Sequence, residues 1–159
     1  MIRQIVPMGK MAVSAVEGEE LVTYALGSCL GVAIYDPVAI VGGLLHVMLP
    51  LSTSDPERAA ENPTLYVDTG VPLLFRACYE MGAEKRRLVV KVAGGATTRD
   101  ENDIFQIGRR NMVVLRKLLW KNGVLLQAED VGGRDSRTMS LTIGSGAVTV
   151  KANGLSAAL

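Results

Sequence analysis

The scarcest chemically capable side chains in this sequence are its two cysteines, Cys29 and Cys78, and its single histidine, His46. A thiol attacks carbon as its thiolate, and forming a thiolate at neutral pH needs a base within hydrogen-bond reach of the sulfur. With one imidazole in the chain, the pairing of Cys29 with His46 has no competitor of its own type. Cys29 stands in Leu26-Gly27-Ser28-Cys29-Leu30-Gly31, where small residues let the backbone turn and let a second molecule approach the sulfur. The base must in turn be oriented. Thr23 lies six residues before Cys29, an even spacing that puts the two on one side if the segment stays extended. A plainer reading competes with this one. Cysteine is among the residues most often buried, and a lone histidine in an apolar strand is more often a hydrogen-bonded core residue than a catalyst.

Cys78 falls on a helical stripe, since Val67, Val71, Leu74, Cys78 and Met81 recur at intervals of four, three, four and three. It reads as core, which leaves Cys29 as the reactive thiol. Pro72 deletes a backbone donor inside this helix, so the helix either starts near Pro63 and kinks or begins later, near Thr69.

The elements that must position the candidates are set by alternation and punctuation. Residues 10–16 read as a strand, 17–20 as a polar turn, and 21–26 as a second strand broken by Gly27-Ser28, which puts Cys29 at or just past a strand end. The next segment has two readings. A helix would lower the thiol pKa and offer its first amides as an oxyanion hole, whereas Val32-Ala33-Ile34-Tyr35 closed by Asp36-Pro37 is equally readable as a strand. Residues 41–49 form another strand, with Leu44, His46 and Met48 on one face and Leu45, Val47 and Leu49 on the other. Both faces are apolar, so this strand is not an edge. Residues 51–64 read as a polar surface loop near the site.

A strand over residues 87–93 leads to Gly94-Gly95-Ala96-Thr97-Thr98, which has neither Gly-Lys-Ser/Thr nor Gly-x-Gly-x-x-Gly and reads as a tight turn, not a phosphate loop. Ile107, Asn111, Val114, Leu115 and Leu118 mark a second helix ending at Asn122-Gly123. A strand over 124–128 and the turn Val131-Gly132-Gly133 precede a hairpin with arms at 137–143 and 147–151, Met139, Leu141 and Ile143 facing inward. The tail from Ala152 is small and polar enough to fray. Many short strands with two long amphipathic helices imply an α/β fold, a single-domain layered sandwich with mixed, mostly antiparallel sheet over residues 1–159.

Composition narrows the function. A hydrophobic share of 48% with 21% charged residues suits a packed soluble core. Seventeen Lys and Arg against sixteen Asp and Glu leave a net charge of +1, so no field draws the protein onto nucleic acid or an anionic membrane. The clusters Lys85-Arg86-Arg87 and Arg109-Arg110 read as solvated faces. The start shows no secretory leader, and the longest apolar run, residues 38–51, is too short for a bilayer and is interrupted by glycines, His46 and Pro50. A cytoplasmic protein with reduced cysteines is expected, with no metal or cofactor, since no Cys-His cluster has zinc spacing.

Six motifs in order resemble the chemoreceptor glutamine deamidase family CheD. They are Leu26-Gly27-Ser28-Cys29, Asp36-Pro37, Gly42-Gly43 leading to His46-Val47-Met48-Leu49-Pro50, Lys91-Val92-Ala93-Gly94-Gly95-Ala96, Ile107-Gly108-Arg109-Arg110-Asn111, and Glu129-Asp130-Val131-Gly132-Gly133. The 17-residue interval between Cys29 and His46 is the family's, while Thr98 stands where the family usually has methionine. The resemblance implies a protein-glutamine deamidase, a cysteine-dependent amidohydrolase of chemotaxis acting on the cytoplasmic helices of methyl-accepting chemotaxis receptors. In that reading Cys29 is the nucleophile, His46 the base, and Thr23 the group whose hydroxyl orients His46.

The oxyanion would be held by backbone amides, that of Cys29 among the candidates. A glutamyl methyl ester would form the same thioester, so methylesterase activity on the same receptors is an alternative. The resemblance also implies a CheC-type response-regulator phosphatase as partner, and a binding module in which Cys29 and His46 only dock is the competing class. Alkylation separates that class from an enzyme if an active Cys29 has a low pKa. A cysteine peptidase is disfavoured, because no pocket motif for a peptide strand is found.

Overall fold

Two five-stranded sheets lie face to face, and two long helices cover the outer side of one of them, in the computed structural model of this chain, which describes residues 2–97 and 105–159. Thr98, the departure from the family's usual methionine, lies outside the described residues. The strands are β1 (Arg3–Ile5), β2 (Met11–Ser14), β3 (Glu20–Leu26), β4 (Leu30–Asp36), β5 (Val41–Val47), β6 (Val89–Gly94), β7 (Leu126–Val131), β8 (Arg137–Thr142), β9 (Val148–Ala152) and β10 (Leu155–Ala158). The helices are α1 (Pro56–Glu61), α2 (Val67–Glu80) and α3 (Ile107–Lys121). One sheet has the order β1-β3-β8-β9-β10 and the other β2-β5-β4-β6-β7. Only β1 with β3 and β6 with β7 run parallel, so the sheets are mixed and mostly antiparallel as expected.

The second sheet is the middle layer, and its sequence shows why. Every residue of β4 and β5 is buried, because one side of each strand packs on the helices and the other on the first sheet. Leu30, Val32, Ile34, Leu45 and Val47 join Val71, Leu74, Cys78, Leu115 and Leu119 in the helix-side core. Cys29, Ala33, Tyr35 and Leu44 join Leu21, Leu26, Met139 and Leu141 in the core between the sheets. Each fully buried leucine in these layers contributes about 1.5–3 kcal/mol relative to exposure.

Several local expectations are corrected. Of the two readings of the chain after Cys29, the strand holds, as β4, and the helix does not. Helix α2 starts at Val67 and runs through Pro72, and Met81, expected on its buried stripe, caps its end at 44% exposure. Residues 51–64 hold short helical turns in place of a loop, because the Asp55 carboxylate accepts from the Arg58 amide and Pro56 and Pro63 occupy first helical positions. The tail is strand β10, paired antiparallel to β9 with every residue exposed. Arg87 is not part of a solvated cluster, since its guanidinium pairs with the fully buried Asp36 carboxylate. That carboxylate also accepts from the amides of Val38, Ala39 and Glu84, so the Asp36-Pro37 motif is a structural knot. No helix among the described residues is long and apolar enough to cross a membrane.

Candidate active site

The register of β4 on β5 places the candidates. Gly31 lies opposite His46 and Leu30 opposite Val47. Residues directly opposite share a face, and a Cβ on Gly31 would meet the Met139 sulfur at 2.8 Å and Leu26 at 3.0 Å, so this face looks toward the first sheet. Cys29 immediately precedes β4 and, two residues from Gly31, falls on the same face in a position diagonal to His46. Such diagonal positions are about 7–8 Å apart at the backbone, within reach of longer side chains. Cys29 is 8% exposed, while His46 and Thr23 are fully buried.

Thr23 reaches His46 from the opposite sheet. Its Oγ1 lies 2.7 Å from His46 Nδ1 and 2.8 Å from the Val6 carbonyl oxygen. The hydroxyl has one proton, and the carbonyl can only accept, so that proton goes to Val6 and the oxygen accepts from Nδ1–H. The neutral imidazole therefore keeps its lone pair on Nε2, an atom that is buried and has no hydrogen-bond partner among the described residues. The even spacing from Thr23 to Cys29 had pointed to a straight strand between them. In fact β3 bulges: the three steps from Thr23 to Leu26 match the two from Met139 to Arg137, and Ala25 has φ of +58°.

Burial sets the protonation states. It lowers the His46 pKa from 6.5 to about 4. It raises that of Cys29, an effect the residue's own backbone amide partly offsets. The resting pair is a neutral imidazole and a neutral thiol, and the low thiol pKa expected from the sequence is absent. Alkylation rate alone thus loses its basis as the measure separating an enzyme from a docking module.

The turn carrying Cys29 is clamped from two sides. The Gly95 amide donates to the Cys29 carbonyl and the Ala96 amide to the Gly27 carbonyl, both at 2.8 Å. Gly94 has φ of +113°, and a Cβ there would stand 2.2 Å from the Cys29 oxygen, so the glycine pair read as a tight turn is fitted to the back of the cysteine. Asn111, expected as part of the α3 stripe, is fully buried and donates from Nδ2 to the carbonyls of Ser28 at 3.0 Å and Met48 at 3.2 Å. Arg137, read only as the start of a hairpin arm, is 7% exposed and donates to the carbonyls of Gly94, Asp135 and Gly132. A polar residue on an otherwise apolar stripe was the available signal for Asn111; Arg137, at a strand end, gave none.

Elsewhere, a groove of about 300 Å³ between α2 and α3, lined by Val71, Phe75, Tyr79, Leu118 and Val124 among others, includes none of the three candidates. Among the described residues no group of three or more His, Cys, Asp or Glu side chains could hold a metal ion.

Residues 48–152 match the family model described as CheD chemotactic sensory transduction. The chain belongs to the CheD family. The matched stretch starts after His46, but full-length relatives extend the similarity across the site. A CheD protein of Syntrophus aciditrophicus named as a probable chemoreceptor glutamine deamidase is 51% identical over 150 residues, 94% of each chain. One of Solibacter usitatus with the same description is 54% identical over 134 residues, 84% of this chain and 79% of its own. The CheD relative of Pyrococcus abyssi, again so described, is 43% identical over 154 residues, 95% of this chain and 93% of its own.

Proposed function

We propose that this chain hydrolyses the side-chain amide of glutamine on the cytoplasmic helices of a chemoreceptor, through a thioester on Cys29. The observation carrying this reading is the Thr23–His46 bond, which leaves an unpartnered Nε2 lone pair on the face shared with Cys29. The names of the CheD relatives support the substrate class.

With both groups neutral at rest, proton transfer accompanies attack. Nε2 of His46 takes the thiol proton while the sulfur bonds to the carboxamide carbon, and the carbonyl electrons move to oxygen. The Cys29 amide lies beside its own sulfur and is suited to bind that oxyanion. The imidazolium then protonates nitrogen, the carbon–nitrogen bond breaks, and ammonia leaves. Water, deprotonated by the same Nε2, attacks the thioester; the carbon–sulfur bond breaks, the thiol regains its proton, and glutamate remains. Thr23 holds the ring without adding charge, so the imidazolium has no carboxylate partner and returns its proton readily.

The test is mass spectrometry of a candidate receptor cytoplasmic fragment before and after incubation. A gain of roughly one dalton at a glutamine, the amide-to-acid difference of acyl transfer to water, is expected with wild type and not with Cys29→Ala. No gain on any receptor fragment from the same cell would overturn the reading.

A further inference from the structure

Asn111 ties together the two pieces of backbone that bear the candidate nucleophile and base. Its Nδ2 reaches the Ser28 carbonyl, one residue before Cys29, and the Met48 carbonyl, two residues after His46. Both amide protons are thereby engaged, while Oδ1 is buried with no partner among the described residues. A buried, half-satisfied amide is costly in a stripe where Met112, Leu115 and Leu119 are also buried, and packing gives no reason for it.

The peptide plane supplies a reason. The Ser28–Cys29 peptide is trans, as is every peptide bond among the described residues, so its C=O and N–H point in opposite directions. Pinning the Ser28 oxygen to Asn111 therefore aims the Cys29 N–H away from α3, and that amide, joined to Sγ through only Cα and Cβ, stays beside the sulfur. An N–H held there faces the oxygen of any carbonyl that the sulfur attacks.

We infer that Asn111 is the positioning residue for the oxyanion site, fixing the Ser28–Cys29 peptide so that the Cys29 amide meets the developing charge. The inference rests on Cys29 as the nucleophile proposed above, not on which carbonyl compound is the natural substrate.

The experiment compares two reactions of the same sulfur. Acetylation by p-nitrophenyl acetate passes through a tetrahedral oxyanion: the sulfur–carbon bond forms, p-nitrophenolate leaves, and the thiol proton goes to His46. Alkylation by iodoacetamide displaces iodide at a saturated carbon and develops no oxyanion. Rates at Cys29 are measured by peptide mapping in wild type, Asn111→Ala and Asn111→Ser. Cys78, fully buried and with its pKa pushed up to about 12, reports any unfolded fraction by its own capture.

The expected result is acetylation about 10–100-fold slower in folded variant protein, with alkylation within about threefold of wild type, since losing an oxyanion donor acts on the first reaction alone. Should Asn111→Ala expose Cys78, Asn111→Ser is judged by the same ratio. A ratio unchanged from wild type in the folded variant would overturn the inference and leave the nucleophile standing. Failure of wild-type Cys29 to be acetylated at all would overturn the nucleophile assignment, and the inference with it.

Discussion

Thr23 and His46 belong to different sheets, and the 2.7 Å contact between Oγ1 and Nδ1 spans the core between them. It is a neutral hydrogen bond between two fully buried side chains, so it fixes the tautomer and leaves burial to decide the charge. The outcome is a histidine held neutral, able to take a proton from the thiol but not to keep one at rest.

Cys29→Ser and Cys29→Ala should both abolish deamidation, because a serine hydroxyl is a far weaker nucleophile without a base arranged for it. Cys78→Ala should keep activity and lose about 1–3 kcal/mol of stability through the space it leaves between α2 and the middle sheet. Receptor assays and urea denaturation check the pair; activity in Cys29→Ala would show the site to be misplaced.

His46→Ala should reduce kcat by about 100–10,000-fold, the usual range for a general base. Thr23→Val keeps the branched shape and deletes the oxygen, so Nδ1–H loses its acceptor and the Val6 carbonyl its donor. The expected result is a measurable remainder of activity, about 10–100-fold below wild type, because orientation is a smaller effect than proton transfer. Full activity in a folded Thr23→Val protein would mean that something other than the hydroxyl orients the ring.

Stability should fall on acidification through the histidine range. The unfolded chain protonates His46 near 6.5 and the folded chain only near 4, so between these values the unfolded state binds the extra proton. The full contribution is present above pH 6.5 and is lost progressively toward pH 4, up to about 3 kcal/mol. Denaturation midpoints at pH 7.5 and 4.5 measure this, and His46→Gln should flatten the difference. An equally steep acid loss in His46→Gln would assign it to carboxylates.

Gly94→Ala should be among the most damaging single-methyl changes. The new Cβ would stand 2.2 Å from the Cys29 carbonyl at a φ that L-residues rarely adopt, and the cysteine turn must move away. A loss of about 1–3 kcal/mol in stability from strain is expected, with a larger proportional loss in kcat. Wild-type activity in this variant would show that the cysteine turn does not need its clamp.

The layered fold was legible where one face of an element is buried and the other is not. Met139 and Leu141 alternate with polar neighbours in β8, and the stripes of α2 and α3 keep the helical period, so those elements could be read directly. Strands β1 and β10 could not, because every residue in them is exposed and backbone pairing holds them, with one surface ion pair from Arg3 to Glu20 added in β1. The bulge after Thr23 was equally hidden. Nothing in Tyr24-Ala25 requires a positive φ at Ala25, and the contact with His46 depends on the distance between sheets, which no local pattern encodes. For the thiol, local sequence left activation by a helix end and a plain strand equally open, whereas Cys29 takes its raised pKa from the walls that close around it.

Strand β3 carries Thr23, and its antiparallel partner β8 lies more than a hundred residues further along the chain, with Thr23 opposite Met139. During synthesis, Cys29, His46 and Thr23 leave the ribosome well before the Met139 and Arg137 side of the chamber. Ladder pairing over such a separation is slow to form. A nascent chain ending after α3 would therefore bear all three candidates with the thiol unwalled and Gly94 unanchored by Arg137. Enclosure of the three candidates in one chamber is in this way postponed until β8 has been made and has paired with β3.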